Sequence, residues 1–182
     1  DMLKVLEQDK EAEKNEALAV KNRFESAAEW GLFDKKGTKL KDLVAPGQVT
    51  ILDMSCYATM SVGKGIRPLV VGLLAQKLFS KRMIARRDEE FKEIQKQGDF
   101  YREKDESSKK EPLVWLIIDE AHNFLPKDEV VVSSEPLITL LREGRQPGIS
   151  LILATQQPGK IHTDVMTQAD IVLSHRITAN MD

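Results

Sequence analysis

Two adjacent carboxylates follow an apolar run in the middle of the chain. The stretch LVWLIIDEAH places six apolar residues, 113–118, directly before Asp119 and Glu120. The run predicts a buried strand of a parallel sheet, and ligands bind at the carboxyl ends of such strands in open α/β folds. Neighbouring carboxylates at that edge are electrostatically costly unless a cation or a proton-transfer task uses them. The pair therefore indicates a chemical site.

Hydrolysis of a nucleoside triphosphate such as ATP would use both acids. Asp119 is predicted to hold, through water, the Mg²⁺ that bridges the phosphates, and Glu120 to orient or deprotonate the attacking water. The alternative is that the strand merely ends and that Asp119 caps the following helix. Six apolar residues before the pair favour the catalytic interpretation. For His122, a relay role and a local structural hydrogen bond both stay open.

The loop that would grip the phosphates is missing from this sequence. It should read G-x-x-x-x-G-K-[ST] between a strand and a helix, with its amide N–H groups facing the phosphates. The nearest match, residues 58–65, has Ala58 in place of the first glycine and Gly65 in place of the hydroxyl that ligates Mg²⁺. We interpret it as a strand–helix loop in which Lys64 and Arg67 are available to an anionic partner. This chain alone is expected to hydrolyse no ATP.

Polar residues also follow the next predicted strand. Residues 148–154 are mostly apolar, and Gln156 comes just after them, where it can reach the same edge as the acid pair and hydrogen-bond the γ-phosphate or the attacking water. Arg145 stands at the end of a predicted helix and can serve a neighbouring subunit as an arginine finger, which contributes on the order of 10³–10⁵ in rate. Its alternative role is that of a cation that stabilises the helix end.

Composition limits the class of protein. The 182 residues are 41% hydrophobic and 31% charged with a net charge of −2, as in an ordinary globular protein, so the total charge neither predicts nor excludes nucleic acid. Cys56 is the single cysteine, which excludes an internal disulfide and fits a reducing compartment. We find no signal peptide and no run as long as a membrane span, and we expect a cytoplasmic protein without a membrane partner. The two ends do not resemble domain boundaries, which indicates a fragment.

Strands and helices are predicted to alternate. Four apolar or β-branched runs are predicted as strands, at 48–54, 113–119, 148–154 and 171–177. Helices are predicted over 1–30, from about residue 66 onward, around 134–144 and near 162–168. This alternation predicts an α/β fold with a mostly parallel sheet that helices cover on both faces.

The chain is predicted to contain a lead-in and one α/β domain. Residues 1–45 form the helical lead-in and connector, and residues 46–182 form the α/β domain. The second half of the long helix, 86–110, is almost wholly charged or polar. A solvated helical projection is favoured there over a nucleic-acid contact, because no aromatic or glycine pattern supports the contact.

Four segments in a fixed order give a more specific match. They read QVTILDMS, LVWLIIDEAHNFLP, PLITLLREGRQPGISLILATQQP and DIVLSHRIT. The set resembles the HerA branch of the HerA/FtsK family of hexameric DNA-pumping ATPases, over roughly residues 31–182. The resemblance implies the C-terminal part of a RecA-like P-loop motor domain, whose phosphate loop lies on an earlier segment. It also implies ATP bound between subunits of a ring around double-stranded DNA.

The resemblance assigns roles to the polar residues at the predicted sheet edge and helix end. Asp119 and Glu120 take the Walker B roles and Gln156 the sensor role. Arg145 becomes the finger that acts in trans, with Arg142 as the runner-up. Archaeal members of the family work with the nuclease NurA in resecting DNA ends, so a NurA-like partner is implied, whereas related rings pump chromosomes or conjugative DNA.

Candidates for DNA contact are basic residues in loops that follow predicted strands and could face a channel: Lys64, Arg67 and Lys127. Each is more commonly a plain surface charge.

Two other functions stay open. A DEAH-box helicase shares the DEAH letters, and LILAT resembles its Ser-Ala-Thr motif, but it should carry a second motor domain, and Gln-Gln-Pro after Ala-Thr favours the ring-forming family. An adaptor that kept the fold but lost catalysis would explain the missing phosphate loop. The joint presence of Asp119, Glu120, Gln156 and Arg145 favours the motor.

Overall fold

The structure, a computed structural model, describes residues 14–34, 36–57, 63–98 and 111–175. The chain divides into two compact units, Asp1–Lys39 and Leu40–Asp182. The first unit contains helix α1, Lys14–Glu29, and Gly31 follows it with a φ of 66°, the left-handed conformation in which many helices end. The first 13 residues of the helix predicted over 1–30 lie outside the described residues.

The second unit alternates helices and strands around a parallel sheet. Its elements are α2 (Leu40–Leu43), α3 (Gly63–Gly98), β1 (Val114–Ile118), α4 (Ser134–Glu143), β2 (Ile149–Leu153) and α5 (Thr163–Gln168). Short 3₁₀ turns occur at Ser55–Tyr57, Ala121–Asn123 and Pro158–Lys160. β1 and β2 pair in parallel, with Val114 opposite Ile149 and Ile118 opposite Leu153. The predicted parallel α/β arrangement is confirmed for these elements.

The hydrophobic core lies on one face of the sheet, under α3 and α4. On α3, Val71, Ala75 and Leu78 recur at the spacing of one helix face, and all three are buried. They share a core cluster with buried residues of the strands and of α4: Ile118, Ile149, Leu137 and Leu140. The cluster holds the long helix against the strand pair whose ends carry the polar residues.

One buried cation ties α3 to the amino-terminal ends of both strands. The Arg82 side chain is only 4% exposed. Its Nε donates to the Pro147 carbonyl at 2.7 Å, just before β2, and its Nη1 donates to the Glu111 carbonyl at 2.8 Å, just before β1. Glu89 lies 3.5 Å from Nη1 and offsets the charge. Arg82 therefore fixes where the two strands begin relative to each other.

The prediction of a strand at 48–54 is wrong. These residues have no regular secondary structure, and Val49 and Ile51 are 89% and 87% exposed. Their hydrogen bonds are local: the Thr50 hydroxyl donates to the Leu43 carbonyl. A strand needs a neighbouring backbone to pair with, and none of the described residues provides one here. Asp53 instead accepts from the Ser55 N–H at 2.9 Å, and hydrogen bonds from the Ser55 backbone and hydroxyl lower the pKa of Asp53.

The strand predicted at 171–177 is also absent from its described part, since residues 171–175 are exposed and irregular. Residues 176 and 177 lie outside the described residues. Among the described residues the sheet has two strands and helices on one face only. On the other face Trp115 and Ile117 are 68% and 67% exposed, so the prediction that helices cover both faces is not met there.

The charged projection is helical as far as α3 extends. The helix continues to Gly98, residues 86–95 are mostly exposed, and Arg86 pairs with Glu90 four residues later. Residues 99–110 of the predicted projection lie outside the described residues. None of the described helices is long and apolar enough to cross a membrane.

The contacts of Arg82 lead to a stability prediction. Arg82→Met should lower the free energy of unfolding by about 2–4 kcal/mol, because the buried Pro147 carbonyl and the partly buried Glu111 carbonyl lose their donor and Glu89 loses its partner. Urea unfolding of the 182-residue chain measures it. The matched control is Arg87→Met on the exposed side of α3, where a change within about 0.5 kcal/mol is expected. Equal unfolding midpoints for the two variants would contradict the role of Arg82.

Candidate functional site

The acid pair lies at the carboxyl edge of the sheet, as the sequence predicts. The strand ladder continues past both strands: the Ala154 N–H donates to the Ile118 carbonyl and the Ala121 N–H to the Ala154 carbonyl, each at 2.9 Å. These two bonds hold the chain before and after the acid pair against the end of β2. The side chains that follow the two strands therefore meet at one place.

Glu120 and Gln156 are in direct contact. The Gln156 Nε2 donates to the Glu120 Oε1 at 2.7 Å, across a sequence separation of 36 residues. The Glu120 backbone has φ 49° and ψ 47°, the only left-handed non-glycine residue among those described. This conformation costs about 1–2 kcal/mol for a residue with a Cβ. Two hydrogen bonds from Asn123 to the Glu120 carbonyl help to stabilise it. Such local strain is typical of ligand sites.

The second oxygen of Glu120 has no hydrogen-bond donor. Oε2 is buried, and no described residue donates a hydrogen bond to it. The Nδ1 of His122 lies 3.4 Å from Oε2. That nitrogen instead shares a hydrogen bond of 3.0 Å with the Thr155 Oγ1. A buried carboxylate oxygen without a donor has the capacity to accept a proton or a hydrogen bond from a water molecule.

Asp119 is exposed, and its Oδ1 accepts from the Glu120 N–H at 2.9 Å. The described residues contain no cluster of three or more side chains that could enclose a metal ion. Mg²⁺ is commonly held by one or two carboxylates together with water and phosphate oxygens, and does not need a protein cage. One exposed carboxylate at a sheet edge fits that manner of binding.

The two arginines lie in different places. Arg145 is in the turn before β2, at the opposite end of the sheet from Glu120, and the five residues of β2 alone span about 16 Å. It is exposed and forms no ion pair with another described residue, so the chain does not bring it to its own acid pair. Arg142, in the last turn of α4, forms an ion pair of 2.5 Å with Asp164 on α5.

Two of the three predicted DNA-contact residues lie in a helix, which corrects the prediction that they belong to a loop. α3 begins at Gly63, three residues before the predicted start, so Lys64 and Arg67 are in its first turns. The Lys64 side chain lies outside the described residues. The Arg67 Nε is buried without a hydrogen-bond partner among the described residues. These residues are helical in the structure, whereas the glycines of the segment 58–65 led to the prediction of a loop.

Lys127 does lie in the loop after β1, and it is exposed. Its N–H donates to the Lys160 carbonyl at 2.9 Å, next to an antiparallel bridge between Pro126 and Ile161. Lys127, Lys160 and His122 line a small pocket of about 180 Å³. Lys160 is not predictable from the sequence, because a loop pairing across 33 residues leaves no periodic pattern.

Thr155 was also missed as a site residue. Its only signal is a hydroxyl side chain directly after a predicted strand, beside Gln156. The Thr155 Oγ1 is a hydrogen-bond partner of the His122 Nδ1, 33 residues away, so this bond is not the local one considered for that histidine. The relay role of His122 stays a prediction.

Comparison with known proteins shows the family of the chain. The profile of the family described as Zonular occludens toxin (Zot) matches residues 65–181, well over half of the chain. The chain belongs to this family. It is 29% identical over 147 residues to the DNA double-strand break repair helicase HerA of Pyrococcus furiosus, a match that covers 76% of this chain and 26% of that protein. It is 38% identical over 69 residues to the probable DNA double-strand break repair helicase HerA of Methanocaldococcus jannaschii, covering 38% of this chain and 14% of that protein.

These matches confirm the HerA-like assignment and the partial RecA-like P-loop fold of this Zot-family chain. The matched part spans about a quarter or less of the curated relatives.

Proposed function

We propose that this chain is part of an ATP-driven double-stranded DNA translocase or helicase of the HerA type, acting in DNA end processing, repair or DNA pumping. The observation that carries the proposal is the contact between Glu120 and Gln156 at the carboxyl edge of the sheet, beside the exposed Asp119. The names of the two relatives, both break-repair helicases, support it.

The three side chains have separate tasks in the proposed hydrolysis. Glu120 accepts a proton from the attacking water. Its Oε2 is the oxygen that no described protein donor uses, and it is buried in this structure. Gln156 donates a hydrogen bond to the other oxygen, Oε1. When this bond breaks, the Gln156 amide can donate to the γ-phosphate or to the water. Asp119 would hold Mg²⁺ through water, and the bound ion would supply positive charge against the phosphates.

The position of Arg145 supports a shared site between subunits. Since Arg145 lies at the far end of the sheet from Glu120, it can serve an acid pair only on another copy of the chain. We therefore propose a homo-oligomer, a hexameric ring around double-stranded DNA, with Arg145 as the finger and Arg142 as the runner-up. Arg142 is the weaker choice because Asp164 already holds it.

The remaining assignments belong to the same proposal. Lys127, now joined by Lys160, is proposed to contact DNA phosphates, and Lys64 and Arg67 stay candidates on α3. A NurA-like nuclease is the proposed partner and the cytoplasm the proposed location. The ATPase portion is proposed to begin near residue 46, although the compact unit itself begins at Leu40.

A second candidate is a catalytically inactive adaptor, which the absence of a phosphate-loop pattern in this sequence favours. The following experiments separate the two functions.

The 182-residue chain alone should hydrolyse no ATP, because no segment of it matches the loop that grips the phosphates. Phosphate release from ATP and Mg²⁺ measures it, and turnover that requires Mg²⁺ would refute the expectation.

Glu120→Gln in the complete protein should keep ATP binding and lose about 10²–10⁴-fold in kcat, because the amide cannot accept the proton of the attacking water. Glu135→Gln, an exposed acid in the first turn of α4, is the matched control and should leave kcat unchanged. Wild-type turnover by Glu120→Gln would remove the base assignment. A wild-type complete protein that binds DNA without hydrolysing ATP would favour the adaptor.

Arg145→Ala in the complete protein should reduce turnover by about 10³-fold or more while rings still form. Mixing these subunits with phosphate-loop variants that keep Arg145 should restore part of the activity, because each active site then receives its finger from a neighbour. Arg142→Ala is the parallel variant. Loss of activity in Arg142→Ala but not in Arg145→Ala would assign the finger role to Arg142. Absence of rescue at every mixing ratio would contradict action in trans.

A further inference from the structure

The hydrogen bond between His122 and Thr155 connects the two halves of the site. His122 follows β1 and Thr155 follows β2, and the bond of 3.0 Å joins them across 33 residues. The His122 side chain is only 13% exposed, so the contact is largely removed from water. The bond is not needed to hold the strands together, because the backbone ladder already does so on both sides of Ala154.

Thr155 itself has a fixed orientation. Its Oγ1 accepts from the Gln157 N–H at 3.0 Å, two residues later. The hydroxyl keeps its O–H and one lone pair for further hydrogen bonds, and the His122 Nδ1 takes one of them. The same short turn sets the position of Gln156, which lies between these two residues. The orientation of the imidazole and that of the Gln156 amide consequently depend on a single turn.

The imidazole in turn limits where the Glu120 carboxylate can go. The His122 Nδ1 lies 3.4 Å from Oε2, while Gln156 holds Oε1 from the other side at 2.7 Å. Because Nδ1 is engaged by Thr155, it stands beside Oε2 without a hydrogen bond to it. The carboxylate is held in place, yet one oxygen keeps its capacity to accept.

We propose that Thr155 and His122 are positioning residues for Glu120: the hydroxyl fixes the imidazole, and the imidazole fixes the carboxylate with Oε2 unoccupied. This rests on the proposed role of Glu120 as the base in ATP hydrolysis. Without the Thr155 hydroxyl, the imidazole can turn towards Oε2 and donate to it, and the oxygen that must accept the proton becomes engaged. ATP binding does not depend on this arrangement, since neither residue is proposed to touch the nucleotide.

The test is a pair of threonine variants in the complete protein. Thr155→Val keeps the shape and removes the hydroxyl, and it should lower kcat about 10-fold or more while KM for ATP changes less than about 2-fold. Thr155→Ser restores the hydroxyl and should return kcat to within about 3-fold of the wild type. Thr139→Val is the control, because its hydroxyl donates only to the Glu135 carbonyl of its own helix.

A second pair changes the other partner. His122→Asn keeps a polar atom bonded to Cγ, as Nδ1 is, and should retain more kcat than His122→Leu. Thermal unfolding and ring assembly of all variants are measured alongside. Wild-type kcat in Thr155→Val would overturn the proposal. If Thr155→Val and Thr155→Ser both lower stability and kcat and raise KM to the same extent, the proposal is also overturned, and Thr155 has a structural role.

The outcomes also separate this inference from the function on which it rests. If the complete wild-type protein has no ATPase activity, or if Glu120→Gln is fully active, the proposed function fails. If the wild type is active and Glu120→Gln is inactive while Thr155→Val and His122→Leu turn over normally, only the positioning role fails.

Discussion

The parallel register between β1 and β2 is the constraint on which the rest of the site depends. Pairing of Ile118 with Leu153 continues through Ala154 into the residues that carry the acid pair and Gln156. A shift of one residue would turn every side chain of one strand to the opposite face of the sheet. It would bury the exposed face and move Gln156 away from Glu120. The chemistry at one edge is thus determined by the pairing of the whole strand.

Several contacts hold that register from the other end of the sheet. Arg82 donates to carbonyls that precede both strands, and Gly148 has a φ of 82° where the turn enters β2. Apolar residues of the inner face, such as Ile149, pack into the core under α3 and α4. Charge at the amino-terminal edge and apolar burial in the middle therefore position a polar cluster at the carboxyl edge.

Two adjacent carboxylates are tolerated because the backbone separates their surroundings. Because the Glu120 backbone is left-handed, the two side chains have different surroundings. Asp119 is exposed to solvent, whereas the Glu120 side chain lies against Gln156 and His122. Water screens the first charge, and hydrogen bonding stabilises one oxygen of the second. One acid is therefore exposed to solvent, and the other is half-buried beside polar side chains.

Elements with a local signal can be read from the amino-acid sequence alone. The apolar runs at 113–119 and 148–154 predicted both strands, the helix near 134–144 formed as Ser134–Glu143, and the acid pair and Gln156 met at the predicted edge. Strand pairing and contacts between residues far apart in the sequence are visible only in the tertiary structure. The runs at 48–54 and 171–175 contain apolar and β-branched residues but find no partner among the described residues, and a strand needs backbone hydrogen bonds as well as a suitable composition. The contact of His122 with Thr155 and the distance of Arg145 from Glu120 likewise follow from how two strands lie side by side, which no spacing along the chain records.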